Sequence, residues 1–379
     1  MAFDLSPRQR QIVDTARAFA LEQLRPNAAQ WEARGALDRE VLSVMAAIGF
    51  AGICVRQDVG GSGLTRADAV LVFEQLSRGC ISTAAFMSMH NMATWMIDTF
   101  GHEQQRRQWA PRLCTMDLIA SYCLTEPGAG SDAANLRTTA ARVGGEYVLN
   151  GAKAFISGAG FSDVYVVMAR TSDEGPRGIS CFLAPSDAPG LHIGKLERKM
   201  GWKAQPMAQI TFEDCRIPAV NLIGKEGSGF LYAMQALDGG RLNIAACSLG
   251  GATEALERAL EYAREREQFG QLIADFQATQ FKLADMATKL EAARLLVYDA
   301  AARLDAGHPD ATKHCAMAKR FATDAGFEIA NEALQIHGGY GYLADYEVER
   351  IVRDLRAHQI IEGANEIMRL IIARQMMGR

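Results

Sequence analysis

Long apolar runs are absent from this 379-residue sequence. None approaches the ~20 residues needed to cross a bilayer, so no membrane insertion is expected. A leader is absent too: residues 1–8 carry neither an apolar signal core nor an Arg/Ser-rich transit pattern. That start favours bacterial cytoplasm, with the mitochondrial matrix as the alternative for a processed eukaryotic chain. Cysteine is sparse and scattered. The eight, Cys54, Cys80, Cys114, Cys123, Cys181, Cys215, Cys247 and Cys315, form no Cys-x-x-Cys, and a chain this long builds a core without staples, so they read as free thiols. The seven histidines form no His-Glu-x-x-His and no Cys/His cluster, which argues against a metal site. Charge of one sign is also lacking. Forty Lys and Arg face 44 Asp and Glu, a net charge of −4, too even for a protein that grips nucleic acid through phosphates.

What is present is the mix of a folded globular protein, 49% hydrophobic and 22% charged, long enough for two or three domains. Residues 1–118 read as helical. Ser6, Pro7 and Gln9 form a helix start, followed by Ile12, Val13, Ala16, Ala20 and Leu24 at helical spacing. Further helices are expected around residues 42–49, 67–76 and 89–100. Gly60, Gly61 and Gly63 lack the Lys-Ser/Thr of a phosphate loop and read as a flexible connection. Residues 119–227 change character. Residues 147–149, the Asn150-Gly151 pair and residues 152–157 predict a hairpin, and residues 164–169, 179–184 and 207–212 predict further strands, with a turn at 187–190. With no long helix between them, an antiparallel barrel or sandwich is expected. Helical period returns over residues 228–379. Leu242, Ala245, Ala246, Leu249, Ala252 and Leu256 form one stripe, residues 311–336 another, and Ile367, Leu370, Ile371 and Met377 one face of a last helix. The class is α+β: a helical domain, a β domain, then a helical bundle.

Three glycine-bearing stretches are candidates for chemistry. Residues 122–132 contain Gly-x-Gly-x-x-Ala, but Pro127 precedes the glycines and no βαβ unit surrounds them, so a Rossmann site is disfavoured. A loop offering N–H groups with the Thr125 and Ser131 hydroxyls to a ligand, or a plain structural loop, both fit. Residues 335–342 fit a helix C-cap or a close approach to a ligand. In the third, Glu362 sits between apolar residues and a glycine just before a helix. It fits a desolvated base, or simple capping by Asn365 or Glu366.

These segments, in this order, resemble the acyl-CoA dehydrogenase family of flavoenzymes over nearly the whole chain. The carriers are residues 124–132 (Leu-Thr-Glu-Pro-Gly-Ala-Gly-Ser-Asp) and 335–342 (Gln-Ile-His-Gly-Gly-Tyr-Gly-Tyr), supported by residues 90–92, 95–98, 121–124, 153–160, 239–241 and 358–360. The resemblance implies an N-terminal helical domain, a central β domain, a C-terminal four-helix bundle, FAD as cofactor, and a homotetramer. Tyr122, Cys123, Leu124, Thr125, Gly130 and Ser131 would line the flavin ring, and Phe155, Ile156 and Ser157 would form its other wall. Arg266, Phe276, Gln277, Gln335, Ile336, His337, Gly338 and Gly339 would meet the pyrophosphate and adenosine end, several from a neighbouring subunit. Ala364, Asn365 and Glu366 would also touch FAD, although the family commonly has Thr or Ser at position 364. Glu362 matches the catalytic base. One subgroup carries its base at the position of Gly240, which has no side chain to act. Ser131, Asp238, Gly239, Gly240, Arg241 and Arg374 match substrate contacts. The implied reaction is α,β-dehydrogenation of a short branched acyl-CoA, isobutyryl-CoA to methacrylyl-CoA in valine catabolism. Glu362 would take the α-proton, and electrons would pass to electron-transferring flavoprotein. Butyryl-CoA and 2-methylbutyryl-CoA are the neighbouring substrates. An oxidase or desulfinase on the same fold, and a DNA-binding flavin fold without the base, are the rival classes.

Overall fold

The computed structural model describes residues 5–378. The chain opens with helices α1 (Pro7–Phe19), α2 (Ala28–Arg34), α3 (Arg39–Ala47), α4 (Arg66–Gly79), α5 (Ile81–Phe100) and α6 (Glu103–Cys114). Ser6 caps α1 as expected. Its Oγ accepts from the Gln9 amide at 3.2 Å, Gln9 Oε1 accepts from the Ser6 amide at 3.1 Å, and Pro7 takes the first helical position. The glycine segment at 60–63 is not the loose connection expected. The Ser62 amide bonds the Gly52 carbonyl and the Gly63 amide the Val55 carbonyl, both at 2.9 Å. A Cβ on Gly61 would collide with the Val55 carbonyl, so glycine is there to let two backbones touch.

The strands follow: β1 (Ala120–Cys123), β2 (Thr139–Val143), β3 (Glu146–Ser157), β4 (Val164–Arg170), β5 (Ile179–Pro185), β6 (Leu191–Leu196), β7 (Met207–Pro218) and β8 (Leu222–Ile223). They make one sheet in the order β6-β7-β3-β2-β4-β5-β8, with β1 beside β4, antiparallel except where β1 and the start of β2 run parallel to β4. One expectation fails. Asn150-Gly151 is not a hairpin turn but an irregularity inside the single strand β3, where the register with β7 shifts. The turn falls earlier, at Gly144-Gly145, where Val143 pairs with Glu146. Gly151, at φ +144°, is required because a Cβ would strike Thr138 at 2.6–2.9 Å, so the glycine answers crowding by a neighbour and not a chain reversal.

The last third comprises α7 (Gly229–Glu265), a short ribbon β9 (Glu267–Gln268) and β10 (Gln271–Leu272), then α8 (Gln277–Asp305), α9 (Ala311–His337), α10 (Val348–His358) and α11 (Asn365–Met376). The α7 stripe lies in the core, and the helix packs against α4, α5, α8, α9 and α10. The expected inner face of α11 is not the observed one. Asn365 and Met368, nearly one turn apart, face α9 and are buried, whereas Leu370 is 42% exposed and Met377, past the helix end, is 57% exposed. No helix among the described residues is long and apolar enough to cross a membrane.

Candidate active site

Between α10 and α11 the chain makes a tight turn whose geometry is set by two left-handed residues, Glu362 at φ +54° and Gly363 at φ +92°. A non-glycine residue there stores about 1–3 kcal/mol of strain and persists only where its surroundings hold it. Several ties do so. The Asn365 amide donates to the Gln359 carbonyl at 3.0 Å. Arg241 Nε donates to the Glu362 carbonyl at 3.3 Å. Lys319 Nζ donates to the Gly363 carbonyl at 2.8 Å and to Asn365 Oδ1 at 2.9 Å. The capping alternative is thereby corrected. Asn365 turns its amide back onto Thr323 and Asp324 of α9, Glu366 points to solvent, and the N-cap position is held by Ala364 without a side-chain bond.

This turn aims the Glu362 carboxylate inward. Its Oε2 is shielded from solvent and has no hydrogen-bond partner among the described residues. It lies over the α carbon of Gly240: a Cβ built there would sit 2.7 Å from Oε2 and 3.0 Å from Met92 Sδ. Burial pushes the carboxyl pKa up to about 7, while the charges of Arg241 and Lys319 pull it down. Arg241 is itself buried and held by Asp238 at 2.8 Å, and the other Asp238 oxygen accepts from Thr312 at 2.6 Å, so Asp238 serves to fix Arg241. Gly239 has a parallel reason to be glycine, since a Cβ would fall 2.5 Å from the Arg66 guanidinium, which stacks on Trp95 at 4.5 Å. The buried Tyr122 hydroxyl also lacks a partner among the described residues, and burial together with the nearby Glu362 charge holds its pKa well above the usual range.

From the sheet side, β1 carries Tyr122 and Cys123 into the loop that begins at Leu124 and Thr125. The Cys123 side chain belongs to the β core, leaving only its backbone for a ligand. Glu126 anchors the loop. Its carboxylate accepts from the amides of Arg137 and Thr138 and from the fully buried Lys153, whose ammonium also bonds the Leu124 carbonyl. Beyond Glu126 the loop stands clear: Gly130 and Ser131 are exposed, and nothing lies within 4 Å of a Cβ on Gly128 or Gly130. Phe155 projects from β3 in a left-handed conformation (φ +57°) and is 64% exposed. Ile156 and Ser157 are different. Both side chains are buried within the β module, so of the expected wall only Phe155 offers a surface.

A second group gathers elsewhere. Arg266, Ile336, His337, Gly338 and Gly339, with Tyr262, Gln268, Ile273, Tyr340 and Leu343, line a cavity of about 440 Å³. Gly338, at φ +59° and ψ −136°, ends α9 in a conformation open to glycine, and no atom crowds Gly338 or Gly339. His337 stacks on Tyr262 at 4.4 Å, and burial lowers its pKa. Gln335 and Gln277 are exposed, and Phe276 lies edge-on to Phe269 at the start of α8. This group is far from Glu362. Gly240 to Tyr262 along α7 and Lys319 to His337 along α9 each span roughly 30 Å at 1.5 Å per residue. Arg374 is exposed in the last turn of α11, about 15 Å along that axis from its start, and does not join the Glu362 group.

Sequence reasoning missed Lys319, Lys153, Met92 and Arg66. For Lys319 a signal existed: it is a lone cation on the α9 stripe between Cys315 and Ala322, all of them buried.

Profiles of the N-terminal, middle and C-terminal domains of acyl-CoA dehydrogenase match residues 6–117, 121–215 and 227–377. The chain is 53% identical to the mitochondrial isobutyryl-CoA dehydrogenase of Dictyostelium discoideum over 98% of its length and 90% of that protein's. It superposes on butyryl-CoA dehydrogenase from Megasphaera elsdenii with a TM-score of 0.96, at 36% identity and over 100% of both chains. A chain in the structure described as electron transferring flavoprotein of Acidaminococcus fermentans matches with a TM-score of 0.97, at 42% identity and over 99% of each chain.

Proposed function

Because this chain belongs to the acyl-CoA dehydrogenase family, an oxidoreductase family, we propose that it dehydrogenates a short branched acyl-CoA thioester, isobutyryl-CoA to methacrylyl-CoA, as a step of valine catabolism. One observation carries the chemistry: the partnerless, shielded Oε2 of Glu362, whose pKa is raised to about 7 by burial. A base works best when its pKa lies near the working pH, and its free oxygen is the acceptor for an α-proton.

The residues fit FAD. Uncrowded glycines at 128, 130, 338 and 339, an exposed aromatic at 155, the partnerless Tyr122 hydroxyl and an Arg266-lined cavity are the donors and open faces a flavin dinucleotide takes up. Tyr122, Leu124, Thr125, Gly130, Ser131 and Phe155 would hold the ring end, and Arg266, with His337, Gly338 and Gly339, the phosphate and adenosine end. Bound there, FAD supplies the two-electron oxidant for the β-hydrogen. The protein's own part is to bind and orient the thioester, exclude water, and remove the α-proton at Glu362. Gly240 and Met92 bound the space around the carboxylate, and Arg241 and Lys319 supply the positive charge that lets it ionise in a dry site.

Glu362 and the Arg266 cavity lie a helix length apart on one chain, which supports a site completed by a second copy, as in the homotetramer that the family resemblance implies. The match to a chain in the flavoprotein structure supports electron-transferring flavoprotein as the acceptor. Residues 1–118, 119–227 and 228–379 serve as the three working modules.

The test is anaerobic titration with isobutyryl-CoA. The purified holoenzyme should be yellow and should bleach. Glu362→Gln should retain flavin and lose reduction by at least ~100-fold. Near-normal reduction of that variant would overturn the assignment, and a preference for hexanoyl-CoA or longer thioesters in a kcat/KM panel would overturn the short branched substrate.

A further inference from the structure

Lys319 sits in the middle of α9 and no part of it reaches solvent. An ammonium at that depth survives only where fixed acceptors replace water. Its two acceptors, the Gly363 carbonyl at 2.8 Å and Asn365 Oδ1 at 2.9 Å, are not carboxylates. They are instead two points on the turn that carries Glu362. The other ties that reach this segment from α9 are that of Asp324 to the Gln359 side chain at 2.8 Å and those of Asn365 itself, and the Arg241 bond from α7 is longer at 3.3 Å.

We propose that Lys319 is the positioning residue of the candidate base: its ammonium clamps the Gly363 carbonyl and the Asn365 side chain, holds Glu362 left-handed over Gly240, and supplies a positive charge that the buried carboxylate faces. This rests on the reading of Glu362 as the base. The stem length explains the residue type, since a four-carbon chain is what spans from α9 to the turn between α10 and α11. The charge explains why a neutral donor does not serve as well. Burial lowers the Lys319 pKa to about 7, and the Glu362 charge opposes that shift more strongly than any other group. The remaining groups around the pair are Tyr122 on β1, Arg241 on α7, Asp324 on α9, His358 on α10 and Glu366 on α11. Arg241 is committed to Asp238, and Asp324 to Asn365 and Gln359, so Lys319 is the cation whose removal alters Glu362 without breaking an ion pair.

The experiment compares holoenzyme with Lys319→Met and Lys319→Gln. One readout is independent of turnover: an infrared difference titration of the carboxyl band that disappears in Glu362→Gln. The other is anaerobic flavin reduction by isobutyryl-CoA as a function of pH. In Lys319→Met the carboxyl midpoint should rise by about one pH unit or more. Reduction at pH 7 should fall at least tenfold and recover in part at higher pH. Lys319→Gln, which keeps a donor and loses the charge, should show the same raised midpoint with a smaller loss of rate. If the Met variant does not fold, the Gln variant carries the test alone. A folded variant whose midpoint and pH profile match the parent overturns the proposal, even if its melting temperature falls, because a merely structural lysine would do that. The two readings fail separately: normal reduction of Glu362→Gln removes the base, whereas an inactive Glu362→Gln beside an unmoved infrared midpoint removes only Lys319.

Discussion

Gly240 and Glu362 compete for the same space, with the carboxylate occupying the volume a side chain at 240 would fill. The atom in the way is the far end of Glu362, which can swing, and Met92 Sδ, which can yield, so Gly240→Ala should displace the carboxylate and leave the fold intact. Within a helix alanine is otherwise favoured over glycine by about 1 kcal/mol. The expected outcome is a melting temperature close to the parent with flavin reduction lowered at least tenfold. Calorimetry and stopped-flow reduction on one preparation check both.

Storing a base without a partner should weaken the fold at neutral pH. The folded Glu362 pKa lies near 7 against an ordinary value of 4.5. The folded state therefore binds the proton more tightly. Whatever stability the protonated form provides is fully present below pH 4.5 and is lost as pH rises through 7. Glu362→Gln removes the titration. It should melt higher than the parent at pH 8, with the gap closing as pH falls toward 5. Paired melts across that range test the sign, and a gap that widens toward acid contradicts it.

The N-cap of α11 is unfilled. Ala364 has extended φ and ψ of −51° and 149°, the conformation of a capping residue, but no oxygen to accept from the first-turn amides. Ala364→Ser should cap the helix and stabilise the protein by about 1 kcal/mol. It would also add a hydroxyl at a position where the family resemblance implies a flavin contact, so flavin release in mild denaturant should slow. Thermal melts and flavin fluorescence measure the two effects independently.

The order of modules was legible because hydrophobic period alone separates 3.6-residue helices from short β-branched strands, and Ser6 with Gln9 announced its cap through chemistry that acts within one turn. What stayed hidden was set by neighbours distant in sequence. Asn150-Gly151 has the composition of a turn, but Thr138 dictates the glycine. Ile156 belongs to a promising motif, but past the register shift in β3 it packs into the β core. Leu370 and Met377 lie on the apolar side of α11 by helical count, but α9 meets that helix along Asn365 and Met368. Glu362 was legible as a candidate from its local setting. Its orphaned oxygen and its lysine were not, since both depend on α7 and α9 meeting the turn.

Length along α7 and α9 has a genetic consequence. Each chain holds Glu362 at one end and the Arg266 cavity at the other, roughly 30 Å apart along the two helices, and in the function proposed above a second copy completes each cofactor site. Two defective alleles, one lacking the base and one lacking the arginine, would then repair each other when co-expressed. In a mixed oligomer some clefts draw an intact glutamate from one parent and an intact arginine from the other, and cells carrying both lesions in trans would outperform cells carrying either alone.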